Sequence, residues 1–317
     1  MSLRPLSFFV LSGSRDLGEA VATRLALAIA SHEERDFEDG EHKSRPLQDV
    51  CGHDVFVLHN LHGDETQSGN DKLCRLLFFC GALRDAGAAR VTVIAPYLCY
   101  ARKDRRTKPN DPITTRYVAS LFEAMQIDVM ITVEVHNLAA FENAFRCRTL
   151  NIDTMPLFAA YYAQHLHGLP AVAVSPDTGG AKRAEQFRQA LEERTGRAVG
   201  SAYMEKFRSA GIVSGDILAG DVRDKVAIIV DDLIASGSTL LRAAKACRTA
   251  GAEKIYTAAT HGLFTGGAPV LLGADEINGI AVTNVLPFRR SDIAARLTVI
   301  DASDEIAQSI TAVHGGP

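Results

Sequence analysis

No apolar run in the 317 residues approaches the ~18 needed to cross a bilayer, which argues against a membrane-spanning helix. The apolar start, MSLRPLSFFVLSGS, lacks a small-residue cleavage site, and its FFVL reads as a first strand rather than a leader. The six cysteines, Cys51, Cys74, Cys80, Cys99, Cys147 and Cys247, form no C-x-x-C pair. A zinc or disulfide framework is therefore not expected, and a reduced, cytoplasmic chain is. No Walker G-x-x-x-x-G-K-[ST] occurs, and neither a short-period repeat nor a low-complexity segment is visible. The formal net charge of −4 argues against nucleic acid as the main partner. What remains, 47% hydrophobic and 23% charged, is the composition of an ordinary globular protein, long enough for about two domains.

Short β-branched runs recur at Phe8–Leu11, Val55–Leu58, Val91–Ala95, Val129–Val135, Ala171–Val174, Val226–Val230, Ile255–Ala259, Ile280–Val285 and Leu297–Ile300. Helical patterns lie between most of them, as in Leu17, Val21, Leu25 and Ile29. Alternation of this kind predicts an α/β fold with largely parallel sheets. Pro156 opens a helical stretch, so a domain boundary falls near Asp153–Pro156. The stretch from Ser303 to His314 is helical, with no sequence signal for where it packs. Polar residues cluster just past the strand ends: Ser12-Gly13, Pro96-Tyr97, His136, Asp177, Asp231 and His261. In open α/β sheets ligands bind outside those ends.

The densest such cluster follows Val226–Val230. Asp231 and Asp232 come at once, then Ala235, Ser236, Gly237, Ser238 and Thr239, then a helical pattern from Leu240. A helix N-terminus after a small-residue loop suits a phosphate, and the acids suit sugar hydroxyls or a metal. The competing reading is that Asp232 and Ser236 cap the helix. Residues 102–108, RKDRRTK, set five cations around one acid on a loop past a strand. They suit a polyanion such as a nucleotide triphosphate; a solvated face and a nucleic-acid patch are the other readings. His136 ends VMITVEVH with Glu134 two residues earlier, so strand alternation would put both on one face. A metal or phosphate role and a structural one both fit this histidine. VSPDTGGAKR, 174–183, repeats strand, acid and small residues: Asp177 could take a divalent ion or a sugar hydroxyl, or the stretch is a glycine turn. In 203–224, Lys206 and Arg208 at i, i+2 would share one side of an extended segment, either a mobile flap or an exposed hairpin.

Together FEDGE at 37–41, PYLCYARKDRR at 96–106, DPITTR at 111–116, EVHN at 134–137, VSPDTGGAKRA at 174–184, EKFR at 205–208 and VDDLIASGST at 230–239 resemble the ribose-phosphate pyrophosphokinase family. The last motif indicates only the type I phosphoribosyltransferase group; the basic stretch, the strand-end histidine and the K-x-R segment are more specific. The resemblance implies two phosphoribosyltransferase-like domains, each a mostly parallel sheet flanked by helices. They would be residues 1–153 for ATP, with 302–317 returning to it, and 154–301 for ribose 5-phosphate. It implies transfer of the diphosphoryl group of ATP to the 1-hydroxyl of ribose 5-phosphate, with Mg2+, in a cytoplasmic homo-oligomer of dimer size or higher. By motif, Phe37, Asp39, Glu41, Arg102 and Lys103 would bind ATP. Asp231, Asp232 and 235–239 would hold ribose 5-phosphate, and His136 and Asp177 would attend magnesium. Lys206 and Arg208, with His136, would be catalytic. A phosphoribosyltransferase that consumes the diphosphate and a catalytically silent regulatory homologue are the alternatives.

The chain departs from the family pattern at several places. Glu134 replaces an Asp, Lys103 a Gln, and Ala235 an Asp at the start of the phosphate loop. HKSRPLQDV stands where an Asn- and Glu-containing strand is usual. LAAFENAF lacks the Gln-rich stretch, and the segment after Arg208 lacks its Arg-Pro-rich continuation, so phosphate and ADP regulation is not implied.

Overall fold

The computed structural model describes residues 4–166, 168–209, 212–266, 268–287 and 296–316, apart from the side chains of 206–216 and 268–269. The chain divides into two compact units. Unit 1 is Met1–Ile152 with Val285–Pro287 and Ser303–Pro317; unit 2 is Asp153–Asn284 with Phe288–Ala302.

Unit 1 opens with β1 (Leu6–Val10) and α1 (Arg15–Leu25), then β2 (His32–Asp36) and β3 (His42–Pro46). It continues with β4 (Asp54–Leu58), α2 (Gly69–Asp85), β5 (Arg90–Ile94), α3 (Thr114–Ala124), β6 (Val129–Val133), α4 (Leu138–Ala144) and β7 (Arg148–Ile152). The strands β1-β4-β5-β6-β7 form one parallel sheet in that order. Every residue of β4 and β6 is buried, as strands covered on both faces require. Phe9, Val57 and Val93 pack with Leu76, Phe79 and Cys80 of α2 and Val118 and Phe122 of α3. Burying side chains of this size stabilises by roughly 1.5–3 kcal/mol each.

Unit 2 contains α5 (Met155–Ala163), β8 (Ala171–Ser175), α6 (Ala181–Thr195), β9 (Gly200–Ser209), β10 (Ile212–Ala219), β11 (Val226–Ile234), α7 (Ser238–Thr249), β12 (Lys254–Gly262), α8 (Ala268–Leu272), β13 (Gly279–Thr283) and β14 (Leu297–Ile300). Its sheet runs β10-β9-β8-β11-β12-β13-β14, parallel except for β10. From β8 the chain moves one way to β9; from β11 it moves the other way to β12. Right-handed crossovers then put α6 and α7 on opposite faces. Accordingly Ala173 and Ile228 pack with Phe187 and Leu191 of α6, while Val174 and Ile229 pack with Leu240 and Ala244 of α7. The crevice between the carboxyl ends of β8 and β11 is a topological switch point.

The final helix, α9 (Ser303–Gly315), belongs to unit 1 and packs on α1. His314 sits edge-on to Phe56, and its Nδ1 lies 2.7 Å from Asp54 Oδ2. Arg90 Nε donates to Asp54 Oδ1 at 2.8 Å, and Arg90 Nη2 donates to the Val313 carbonyl at 2.8 Å. A buried carboxylate needs such partners. Ile306, Ala307, Ile310 and Val313 are its buried apolar positions.

Two local expectations are corrected, and one stretch that departs from the family pattern proves to be a strand. Ile29 lies outside α1, which ends where Ala26 turns left-handed at φ 52°. HKSRP forms β3, paired antiparallel with β2 so that FEDGE lies at the turn. Glu134 and His136 do not share a face: β6 stops at Val133, Glu134 turns left-handed at φ 47°, and it is buried while His136 is exposed. Strand alternation requires extended backbone, which ends before either residue.

Candidate active site

In unit 2 the loop after β8 is a tight turn. Asp177 Oδ1 accepts the Gly179 and Gly180 amides at 2.8 and 2.9 Å, and Ser175 Oγ donates to the Asp177 carbonyl at 2.6 Å. A Cβ on Gly180 would lie 2.9 Å from Ser175 Oγ, so the turn closes around a glycine. The turn leads into α6, whose Arg183 is buried.

Beside it, β11 runs through Asp231 and Asp232 to Ile234, four residues past the apolar run that the sequence suggested. Parallel pairing with β12 continues as far as Ile234–Gly262 and holds the acids in the sheet. Arg183 Nη1 lies 3.6 Å from Asp232 Oδ1 and 3.9 Å from Asp231 Oδ1. Burial pushes the Asp231 carboxyl well above the usual carboxylate range, the adjacent Asp232 charge adds to this, and Arg183 opposes both.

Capping by Asp232 or Ser236 is not what opens α7. Its N-cap is Gly237, at φ 76° and with no side-chain cap bond. A Cβ on Gly237 would meet Leu271 Cβ at 2.7 Å, so both backbone and space call for glycine. The helix begins with Ser238, and Ser236 and Ser238 are exposed, leaving first-turn amides and hydroxyls at the helix end. At Ala235, where the family has a carboxylate, other groups shape the loop. The Ala235 carbonyl accepts the Thr265 amide at 3.0 Å, and Leu263 and Phe264 amides bond the Ile234 carbonyl. Ser236 Oγ accepts the Ser238 amide at 3.4 Å.

In unit 1 the basic stretch is a folded loop rather than a loose charge run. Asp111 Oδ2 accepts Lys103 Nζ and Thr107 Oγ1, both at 2.7 Å, and the Lys108 amide at 3.0 Å. The Lys103 ammonium and Thr107 donors hold the Asp111 carboxyl well below the usual range. Lys103 is thus half-buried in an ion pair, while Arg102, Arg105 and Arg106 are exposed. Asn137 Nδ2 donates to Asp104 Oδ2 at 2.5 Å, tying the residue after His136 to this loop. Arg102, Lys103 and His136 are therefore brought to one end of the sheet. Phe37, Asp39 and Glu41 stand exposed at the β2–β3 turn, where the Phe37 amide bonds the Glu41 carbonyl at 2.8 Å and Arg35 lies over the Phe37 ring. Lys206 and Arg208 lie on β9, and their side chains lie outside the described residues.

Sequence reasoning did not place Arg183, Asp111 or Asn137 in the site. Only the acid–glycine turn before Arg183 signalled a site there; its partners lie about fifty positions away in the chain. Among the described residues no group of three His, Cys, Asp or Glu side chains could by itself hold a metal. Asp177, held by Oδ1 on two amides, has a second oxygen for an ion that takes one or two protein ligands and completes its shell with water and phosphate, as magnesium does.

Residues 6–125 match the N-terminal domain of ribose phosphate pyrophosphokinase, and residues 214–317 match the phosphoribosyl synthetase-associated domain. The chain is 30% identical over 315 residues to ribose-phosphate pyrophosphokinase 1 of Streptococcus pyogenes, covering 99% of this chain and 96% of that one. It is 32% identical over 319 residues to ribose-phosphate pyrophosphokinase 2 of Schizosaccharomyces pombe, covering 100% and 96%. Its structure superposes on that of phosphoribosylpyrophosphate synthetase from Mycobacterium smegmatis with a TM-score of 0.89 at 31% identity, covering 98% and 99%. Likeness of this extent, through both units and end to end, means that the chain belongs to the ribose-phosphate pyrophosphokinase family.

Proposed function

We propose that the protein transfers the β,γ-diphosphoryl group of ATP to the 1-hydroxyl of ribose 5-phosphate, giving AMP and 5-phosphoribosyl 1-diphosphate. Family membership supports this reaction. The structural observation that carries it is the switch point of unit 2, where an acid pair and an open helix N-terminus stand beside the Asp177 turn. Such a site suits a phosphorylated sugar: Ser236 to Thr239 for the 5-phosphate, Asp231 and Asp232 for the hydroxyls. In unit 1, Arg102, the Lys103–Asp111 loop and the exposed Phe37, Asp39 and Glu41 are proposed to bind ATP.

The sugar hydroxyl oxygen attacks the β-phosphorus, the bond from that phosphorus to the oxygen shared with the α-phosphate breaks, and AMP leaves with that oxygen. The hydroxyl proton passes to solvent. Phosphoryl transfer needs positioning and neutralised charge more than covalent help. Lys206 and Arg208 are proposed to stabilise charge developing on the phosphate oxygens. Asp177 and His136, each in its own unit, are proposed magnesium contacts; the ion would supply charge neutralisation on the ATP phosphates. The Gly179 and Gly180 amides hold Asp177 by Oδ1, which orients its second oxygen. A cytoplasmic homo-oligomer, dimer or higher, follows the family resemblance; light scattering after size exclusion tests the assembly.

The deciding measurement is AMP formation from ATP and ribose 5-phosphate with magnesium, with and without inorganic phosphate. AMP formed in step with 5-phosphoribosyl 1-diphosphate is the expected result. Diphosphate release that requires a purine or pyrimidine base instead would make the protein a phosphoribosyltransferase. Lys206→Ala is expected to lower turnover about 100- to 1000-fold, the cost of losing one transition-state donor; unchanged turnover would remove Lys206 from the mechanism.

A further inference from the structure

Arg183 occupies a place where a cation is not favoured by its own helix. It is the third residue of α6, in the first turn, where the helix dipole presents partial positive charge. Its side chain is also only 10% exposed, so its charge is costly to bury alone. The acid pair at the end of β11 offsets both costs: Asp232, itself nearly fully buried, lies 3.6 Å away and Asp231 3.9 Å. These two contacts are longer than hydrogen bonds and act by charge. The same helix begins directly after the turn that Asp177 closes. Arg183 therefore ties the turn after β8 to the acid pair on β11 at the switch point.

We propose that Arg183 is a positioning residue for the sugar end of the substrate, its charge holding Asp231 and Asp232 beside the turn that Asp177 closes, where their oxygens can accept hydrogen bonds from adjacent ribose hydroxyls. The inference rests on the proposed reaction for its ligand and on the geometry of unit 2 for its residue. Burial and the Asp232 charge already favour a proton on Asp231, and Arg183 opposes both, so removing the guanidinium charge favours that proton further. A protonated acid presents a donor where the sugar hydroxyl also needs to donate. Among the described residues, the charged groups that bear on Asp231 are Asp232 and Arg183 of α6, and His261 lies on the neighbouring β12 opposite Leu233. Lys182, the other cation in this turn of α6, is exposed. Arg183 acts through the acids, so its removal is felt by the sugar phosphate and not by ATP.

Calorimetric titration of the full chain with ribose 5-phosphate, and separately with MgATP, tests this in wild type, Arg183→Met and Arg183→Lys. Arg183→Met is expected to bind ribose 5-phosphate at least tenfold more weakly with MgATP affinity unchanged, and Arg183→Lys to recover most of the loss. Equal ribose 5-phosphate affinity in wild type and Arg183→Met, equal losses for both ligands, or no recovery with lysine would each overturn the role. If Arg183→Met does not fold, Arg183→Gln, which keeps donors without charge, takes its place under the same criteria. Wild type that fails to bind ribose 5-phosphate at all would sink the proposed reaction itself, an outcome read before any variant is compared.

Discussion

Lys103 and His59 illustrate how much a residue's role depends on partners that the local sequence does not reveal. Lys103 sits in a run that looks like free positive charge, yet it is held by Asp111, eight residues on and beyond two turns. Arg102 beside it stays exposed and is the better candidate for direct phosphate contact. His59, at the end of β4, is fully buried; Nδ1 lies 3.3 Å from Ser14 Oγ, and Nε2 has no hydrogen-bond partner among the described residues. Burial, reinforced by Lys72 and Arg75 and opposed by Glu34, depresses its pKa to about 3. The unfolded chain protonates this histidine near 6.5. Between those values the unfolded state binds more protons, so stability falls as pH falls. From pH 7 to pH 5 the loss due to His59 is about 2 kcal/mol. Urea unfolding of wild type and His59→Gln at both pH values checks this: the wild type is expected to lose about 2 kcal/mol more on acidification than the variant. Glu34 works in a lower window. His32 and Ser12 hold its carboxyl down at about 2 against burial, so its contribution is lost only below the ordinary glutamate range.

At the scale of elements, the strands with apolar runs were legible and the polar ones were not. β2 (HEERD) carries charge on both faces, and β3 (HKSRP) sets Lys43 and Arg45 on one face against His42, Ser44 and Pro46 on the other, so no hydrophobic period marks either. The Asp39-Gly40 dipeptide between them was the available hairpin signal. β11 outran its apolar stretch because pairing with β12 supplies backbone partners past Val230. α1 carries a glycine, Gly18, that periodicity treats as a weak point. Its backbone in fact lies against β1, and an added Cβ would fall 2.3 Å from Val10 Cγ1. Gly18→Ala should therefore destabilise by ~1–3 kcal/mol through overpacking, opposite in sign to the ~1 kcal/mol gain of the same change in an open helix. Chemical denaturation decides between the two signs. Gly237→Ala meets both a left-handed backbone and Leu271, and is expected to weaken ribose 5-phosphate binding more than MgATP binding, as separate titrations would show.

At the scale of the molecule, α9 is the element whose place no local pattern could predict. Its apolar face would suit any core; Asp54, Arg90 and Phe56, more than two hundred residues earlier, decide where it packs. Removal of residues 303–317 should leave Arg90 and Asp54 without α9 and uncover α1 and Phe56 of β4. Hydrogen exchange is expected to quicken in β1, β4 and α1 while β11 and β12 keep their protection; equal loss in both units would contradict this. What the sequence determined by itself was whatever depends on neighbours a few residues apart: apolar strand runs, helical periods, the strand–acid–loop–helix order at 226–240, and motifs close enough to reveal the family. Tertiary structure alone decided what depends on residues far apart in the chain. It put Arg183 against Asp231 and Asp232, gave Lys103 to Asp111, turned Glu134 away from His136, and docked α9. Side-chain contact, burial and charge pairing are set by where strands and helices meet in space, and local periodicity carries no record of that.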